Sequence, residues 1–429
     1  MRRLRVAWRT LGCRVNQYDT ELMKARLAGQ FEVVSDGAEA EVYILNTCTV
    51  TSRAEAKARQ YIHSLGRRGL VLVTGCWATV APEEVAKIPG VRLVFPNSGK
   101  LQVEKLVQTA LTGGGGIVRP SPDGASLDEE RIATDLAHTR AFVKVQDGCD
   151  RFCTFCRTVF ARGRSRSKSP QAVLAEVSRL VENGFVEIVL TGIDLASFGS
   201  ENGASLAGLL WQLAEIPGLR RIRLSSLNPQ GISPELLQFF RECDKGCPYF
   251  HLPLQSGDDL ILRRMNRGYS VAEYREKVDL IREMLPQATW GADVMVGFPG
   301  ETEEQFLRTC RLLEELAPLR LHIFRYSRRP GTAAARFPEQ VPERIKLERA
   351  ARLRRLGEEL SLRVKQRYIG QRLKVLVEER GADGLWRGWA ENYIEVGILP
   401  RGGRELEAGE IVPVRIRKVA ADRLLGEVT

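Results

Sequence analysis

Residues 140–156, RAFVKVQDGCDRFCTFC, decide how this chain is read. The opening residues look like a β-strand, and they feed directly into Cys149, Cys153 and Cys156 at a C-x3-C-x2-C spacing. Three thiols in one loop fall one short of a structural zinc site, which takes four ligands. A 4Fe–4S cube held by three thiolates instead keeps one iron open, and an open iron can bind a small molecule that carries the chemistry. Zinc would need a fourth ligand from elsewhere, Cys247 or His251. The place of the loop, at the end of a first barrel strand, favours the open cluster, because barrel enzymes put their chemistry there.

Downstream, the strand-sized runs VEIVLTGI (186–193), RRIRLSSL (220–227), YFHLPLQ (249–255), GADVMVGF (291–298) and LRLHIFRYS (319–327) alternate with helical stretches. That alternation predicts βα units closing into a barrel or partial barrel. Upstream, the first hundred residues read as strand, loop and helix three times, with Cys13, Cys48 and Cys76 at the three strand ends. A small parallel sheet follows, and ligands bind such sheets at the carboxyl ends of their strands. Isolated cysteines often behave as small buried hydrophobes. Three at equivalent strand ends could also assemble a second cube with an open iron. The segment 113–135, rich in Gly, Pro, Ser and acidic residues, reads as a linker, and its tetraglycine lacks the Lys-Ser or Lys-Thr of a phosphate loop. The last sixty residues alternate in the β manner with Gly turns and predict a small β-barrel. The fold class is α/β: a sheet domain at 1–112, a barrel domain at 136–366 and a β-barrel at 367–429.

At 429 residues the chain needs more than one core, and 44% apolar with 27% charged residues is the balance of a globular protein. No apolar run is long enough to span a bilayer, and the basic N-terminus lacks the apolar stretch of a secretory signal, so a cytoplasmic protein is expected. Nine cysteines in that setting read as metal or redox ligands before disulfides. A net charge of +11 favours a polyanionic partner such as RNA. Arg162, Arg164, Arg166 and Lys168, just past the cysteine loop, are candidate phosphate contacts; a solvated basic face is the alternative. Trp386, Trp389 and Tyr393 could stack on bases or form core.

The cysteine spacing on βα units resembles the radical S-adenosylmethionine superfamily. TLGCRVNQYDTE, LNTCTVTSRAE and VTGCWA resemble the N-terminal domain of its methylthiotransferases, and the last domain looks like their TRAM barrel. The resemblance implies two 4Fe–4S clusters, one on Cys149, Cys153 and Cys156 that binds S-adenosylmethionine, and an auxiliary one on Cys13, Cys48 and Cys76. It implies a radical source that replaces acid–base machinery, in keeping with only four histidines. Among its groups, TLGCRVNQYDTE, HTRAFVKVQDGCDRFCTFC and LTGIDLASFG look most like the enzymes acting on threonylcarbamoyladenosine. Methylthiolation at the 2-position of that nucleoside beside the anticodon of tRNA is then implied, with an electron donor such as flavodoxin or ferredoxin. Isopentenyladenosine in tRNA and an aspartate of a ribosomal protein are the related substrates, and a non-catalytic, zinc-bound RNA-binding protein is the alternative of another class. By resemblance, Phe155 lies near the bound adenine, and Gly192 and Gln255 lie at strand ends that touch S-adenosylmethionine; packing or turn roles fit them equally. One departure stands out: Arg157, Thr158 and Val159 follow Cys156 where the family usually has two aliphatic residues and a proline. Cys243, Cys247 and Cys310 receive no role.

Overall fold

The structure is a computed structural model that describes residues 3–35, 37–119, 126–132, 139–400, 405–420 and 422–429. The strands β1 (Arg5–Thr10), β2 (Glu32–Val34), β3 (Val42–Thr47), β4 (Leu70–Gly75), β5 (Val91–Val94) and β6 (Gly116–Ile117) pair in parallel in the order β2-β1-β3-β4-β5-β6. VYILNT and LVLVTG are near-continuous apolar runs because β3 and β4 are buried on both faces. Met23, Leu27, Val103 and Val107 pack on one face with Ile44 and Leu72, and Ala58 and Ile62 on the other with Leu45 and Val73. β6 lies inside the segment expected to be a linker, and Leu127 and Ile132 of that segment are buried. This stretch is therefore partly docked; its residues 120–125 and 133–135 lie outside the described residues.

The central unit begins with β7 (Ala141–Lys144), followed by a short antiparallel pair, β8 (Gln146–Asp147) and β9 (Arg166–Ser167). β10 (Glu187–Thr191) and β11 (Arg221–Leu224) then join β7 in one parallel sheet, and β12 (Tyr249–His251), β13 (Thr289–Val296) and β14 (Arg320–Arg325) form another. Bridges at Ile222–Gly246 and Ser226–His251 tie the two, giving six parallel strands in chain order. Five of the intervening helices start on a hydroxyl cap, Ser169, Ser205, Ser233, Ser270 or Thr302, each of which stabilises its helix by about 1 kcal/mol. Among the described residues no ladder joins β7 to β14, so the barrel is partial. Helix Arg14–Leu27 of the first unit packs against β7 and buries Tyr18 and Leu22 in the central core.

Helix Glu343–Gln366 leads to a closed barrel of β15 (Arg372–Arg380), β16 (Trp386–Ala390), β17 (Glu395–Leu399), β18 (Ile411–Ala420) and β19 (Arg423–Val428), ordered β15-β16-β17-β19-β18. Val375, Val377, Val412 and Val414 fill it by alternation along their strands. It docks on the central unit through arginines. Arg221 donates to Trp389 O at 3.1 Å and Lys374 O at 2.5 Å, and Arg223 to Glu391 O at 3.0 Å, while both pair with the buried Glu187. No described helix is long and apolar enough to cross a membrane.

Candidate functional site

Cys13, Cys48 and Cys76 follow β1, β3 and β4 at their carboxyl ends. The glycines before two of them are geometric requirements. Gly12 (φ 108°) carries no Cβ, which would stand 2.9 Å from Cys48 Cβ, and one on Gly75 (φ 94°) would strike the Thr47 backbone. Asn16 holds the loops together. Its Nδ2 donates to Leu11 O at 2.8 Å and Thr47 O at 3.0 Å, and Cys76 Sγ lies 4.0 Å from its Oδ1. Burial pushes the Cys48 thiol up to about 12. Three cysteine sulfurs at neighbouring strand ends are the donor type that iron–sulfur clusters take. None of the nine cysteines is in a disulfide.

Cys149, Cys153 and Cys156 occupy the loop after β8, beyond the end of the first barrel strand. Cys153 Sγ accepts from Arg267 Nη1 at 3.2 Å, and Cys156 Sγ accepts from Thr158 N at 3.4 Å and donates to Thr158 Oγ1 at 3.1 Å. Such donors stabilise thiolate sulfur and tune a cluster held by it. Burial raises the Cys149 thiol to about 11. The residues present fit a three-thiolate cluster at each triplet. Zinc is not served in the same way: Cys247 enters β12 beside Ile222, at the amino end of the strands, and His251 is engaged by Asp293.

Between the triplets lies a cavity of about 170 Å³ lined by Cys76, Cys156, Phe155, Gln255 and Phe324. It shares Val50, Thr51, Asp293 and Phe324 with a larger one of about 720 Å³ that reaches Cys13, Cys48, Gly192, Arg320 and Tyr393. Phe155 and Gln255 thus border the first cavity and Gly192 the second, where a Cβ on Gly192 would stand 2.9 Å from Gln146 Oε1. Gln255 adopts φ 68°, a conformation unusual for a side-chain-bearing residue, while its N–H donates to Asp293 O at 2.8 Å. Arg157 now has partners. Its Nη1 donates to Thr49 Oγ1 at 3.3 Å and Glu55 Oε1 at 3.4 Å, linking the Cys156 loop to the segment after Cys48. Arg329 joins the same Thr49 and Glu55.

The basic cluster is corrected in part. Arg162 is buried, with Nη1 at 2.9 Å from both Asp147 oxygens and Nη2 at 2.9 Å from Asp19. Lys168 is fully buried against Glu176 and Tyr18. Neither can meet an RNA backbone, because each neutralises carboxylates that burial would otherwise strand. Arg164 is exposed and Arg166 partly so. Tyr393 and Trp389 stack at 4.8 Å and face the central unit, so they are not a free platform on the outer barrel surface.

Sequence reasoning missed Arg267, and it missed the His251–Asp293–His322 set. Both imidazoles donate to one Asp293 oxygen, at 2.9 and 3.2 Å, at the wall of the larger cavity. A signal existed: two of the four histidines fall on inferred barrel strands.

Residues 143–313 match the radical SAM superfamily, and residues 5–96 match a family described as uncharacterized protein family UPF0004. The threonylcarbamoyladenosine tRNA methylthiotransferase MtaB of Aquifex aeolicus is 39% identical over 96% of this chain and 100% of its own. The tRNA-2-methylthio-N(6)-dimethylallyladenosine synthase of Protochlamydia amoebophila is 34% identical over 98% of this chain and 95% of its own. Among solved structures, the radical S-adenosylmethionine methyltransferase TsrM of Kitasatospora setae, with cobalamin and a [4Fe-4S] cluster, superposes with a TM-score of 0.58 over 90% of this chain and 81% of that one. At 15% identity that likeness speaks for the fold. With the radical SAM domain, the second cysteine-bearing domain and full-length relatives in agreement, the chain belongs to the radical S-adenosylmethionine methylthiotransferases, enzymes that use S-adenosylmethionine and an iron–sulfur cluster.

Proposed function

We propose that this enzyme inserts a methylthio group at the 2-position of N6-threonylcarbamoyladenosine beside the anticodon of tRNA. In this reading Cys149, Cys153 and Cys156 hold one 4Fe–4S cluster and Cys13, Cys48 and Cys76 hold a second. The observation that carries it is the shared cavity: Cys76 and Cys156 line one space, and that space adjoins the one bordered by Cys13 and Cys48. A substrate seated there meets both triplets at once. When bound, S-adenosylmethionine and the clusters supply a carbon-centred radical, a methyl group and sulfur. The chain's own residues do the rest. Arg267 and Thr158 hold the thiolates of Cys153 and Cys156 in place, while Phe155, Gln255 and Gly192 shape the walls where S-adenosylmethionine would lie. Arg157 and Arg329 tie the segment after Cys48 to the central unit that carries the other triplet. The choice of nucleoside is supported by the 39% identity to the Aquifex enzyme and by the wording of the cysteine segments.

Nucleoside analysis of tRNA from a strain lacking the gene tests this reading. Loss of the 2-methylthio form of threonylcarbamoyladenosine, with its precursor accumulating, is expected. Unchanged nucleosides would exclude the tRNA substrate, and loss of methylthiolated isopentenyladenosine alone would move the enzyme to the other tRNA group.

A further inference from the structure

Tyr393 sits in the turn between β16 and β17 at φ 63° and carries its ring into a ring of arginines. Its centroid lies 5.6, 5.8, 4.8 and 4.9 Å from the guanidinium carbons of Arg14, Arg140, Arg223 and Arg320. Two of these are neutralised, Arg223 by Glu187 at 3.0 Å and Arg140 by Glu378 at 2.9 Å. The other two are not. Arg14 donates to the Tyr393 hydroxyl at 2.7 Å, and Arg320 stacks on Trp389 at 4.7 Å, yet neither has a carboxylate partner among the described residues. Both line the 720 Å³ cavity. Burial pushes the Tyr393 hydroxyl up, but the four arginines together pull it below its usual range, a mark of the local positive field.

Position along β14 gives this charge a direction. Arg320, His322 and Phe324 alternate onto the cavity face, and at ~3.3 Å per residue the first and last stand about 13 Å apart. Phe324 also lines the small cavity with Cys76 and Cys156. The small cavity thus presents the thiols of Cys76 and Cys156 and the Phe324 ring, and the larger cavity it adjoins, which also reaches Cys13 and Cys48, carries the guanidinium groups of Arg14 and Arg320. A purine reacting between Cys76 and Cys156 would send a short side arm into the larger cavity, toward those cations.

We propose that Arg14 and Arg320 form a carboxylate subsite that takes the free carboxylate of an amino-acid substituent on N6 of the target adenosine. This rests on the reading of the substrate as N6-threonylcarbamoyladenosine and names what selects it. A guanidinium binds a carboxylate by paired charge-assisted hydrogen bonds. An apolar dimethylallyl arm would leave two half-buried cations unpaired, and a site built for a polar group rejects the analogue that lacks it.

The test uses the reconstituted holoenzyme and three anticodon stem-loop RNAs. One carries N6-threonylcarbamoyladenosine, one the same group with its carboxylate as a primary amide, and one N6-dimethylallyladenosine. The readout is the ratio of kcat/KM for acid over amide. In the unaltered enzyme we expect roughly 30-fold or more, the size of a lost charged hydrogen-bond pair. Arg320→Met should bring the ratio to within about threefold of one, and Arg320→Lys, which keeps the charge but not the fork, to a value between. An equal fall on acid and amide RNAs in Arg320→Met would assign this arginine to RNA phosphate or to packing and overturn the subsite. So would acid turnover without preference in the unaltered enzyme, a result that leaves the substrate reading standing and needs no variant to fold. Turnover of the dimethylallyl RNA alone would instead remove the substrate reading and the subsite with it.

Discussion

Arg162→Met is the substitution whose outcome separates a buried structural arginine from an RNA contact. Arg162, Lys144 and Lys100 meet Asp19, Asp147 and Glu130 in one buried cluster, with Arg162, Lys144 and Asp19 side chains 1%, 2% and 1% exposed. Three cations balance three carboxylates there. Removing Arg162 strands one negative charge and takes three close contacts from Asp147 and Asp19. Breaking a buried pair on one side costs about 3–5 kcal/mol. At an m-value of about 2–3 kcal/mol/M, the urea midpoint of the transition reporting the first two units falls by about 1–2.5 M. Anaerobic urea unfolding followed by tryptophan fluorescence measures it, since Trp8 and Trp77 are buried in the first unit. The paired variant Arg162→Met with Asp147→Asn restores charge balance and should recover part of the loss, as replacing both partners is far gentler than replacing one. The salt dependence of tRNA binding gives the opposite control. A phosphate contact contributes about 0.7–0.9 to the slope of log K against log salt, so Arg162→Met should leave the slope unchanged and Arg164→Gln should lower it. A midpoint shift under 0.3 M together with a lower slope for Arg162→Met would refute the buried-network account.

Three further outcomes are expected. Cys156→Ala should abolish 5′-deoxyadenosine formation, whereas Cys48→Ala should retain part of it while losing methylthio product; full product from Cys48→Ala would remove the second cluster. Arg157→Met should change stability by only about 1 kcal/mol, since Arg329 still holds Glu55, but should lower methylthio product more than 5′-deoxyadenosine if it sets the spacing of the two loops. An equal loss of both would mean that it serves the Cys156 loop alone. Glu187 is buried, which raises its pKa, but Arg223, Arg221 and Arg140 outweigh burial and hold it below the usual carboxylate range. Its contribution is therefore present above about pH 4.3 and lost as pH falls through its folded value. Glu187→Gln should lower Tm near pH 7 and flatten the fall in Tm below pH 4.5, as read by calorimetry from pH 3 to 7; an unchanged acid slope would take Glu187 out of the barrel interface.

The parts legible in the sequence were those written in local pattern. Strand-sized apolar runs with a cysteine just beyond them marked β1, β3, β4 and β7, because both the run and the cysteine belong to one short segment. The two misread basic residues show where this stops. RGRSRSK looks like a basic surface run, yet Arg162 ends a short helix that faces Asp19 and Asp147, and Lys168 turns inward to Glu176. Their partners lie up to 150 positions away, so nothing local reveals that they are buried and bonded. β6 was absorbed into a linker for a related reason: a two-residue strand at a sheet edge carries no periodicity.

Arg157 extends that point from folding to chemistry. As a sequence feature it is only a departure from the expected aliphatic pair, beside Cys156. In space it is one link from the Cys156 loop to the first unit, through Thr49 and Glu55, and Arg329 from beyond β14 reaches the same two side chains. How the two cysteine loops face one another therefore depends on contacts that cross between units, Arg157 and Arg329 to Thr49 and Asn97 to Ala161 among them, rather than on either loop alone. The larger cavity obeys the same rule, since Arg14, Arg320 and Tyr393 come from three different units and meet only when all three are docked. A barrel domain cut from this chain would keep Cys149, Cys153 and Cys156 and lose Thr49, Glu55, Arg14 and Tyr393. It would also lose Asp19, Tyr18 and Leu22, which neutralise Arg162 and Lys144, bond Lys168 and fill the central core, so neither cleavage of S-adenosylmethionine nor transfer to a chosen nucleoside is expected to survive that cut.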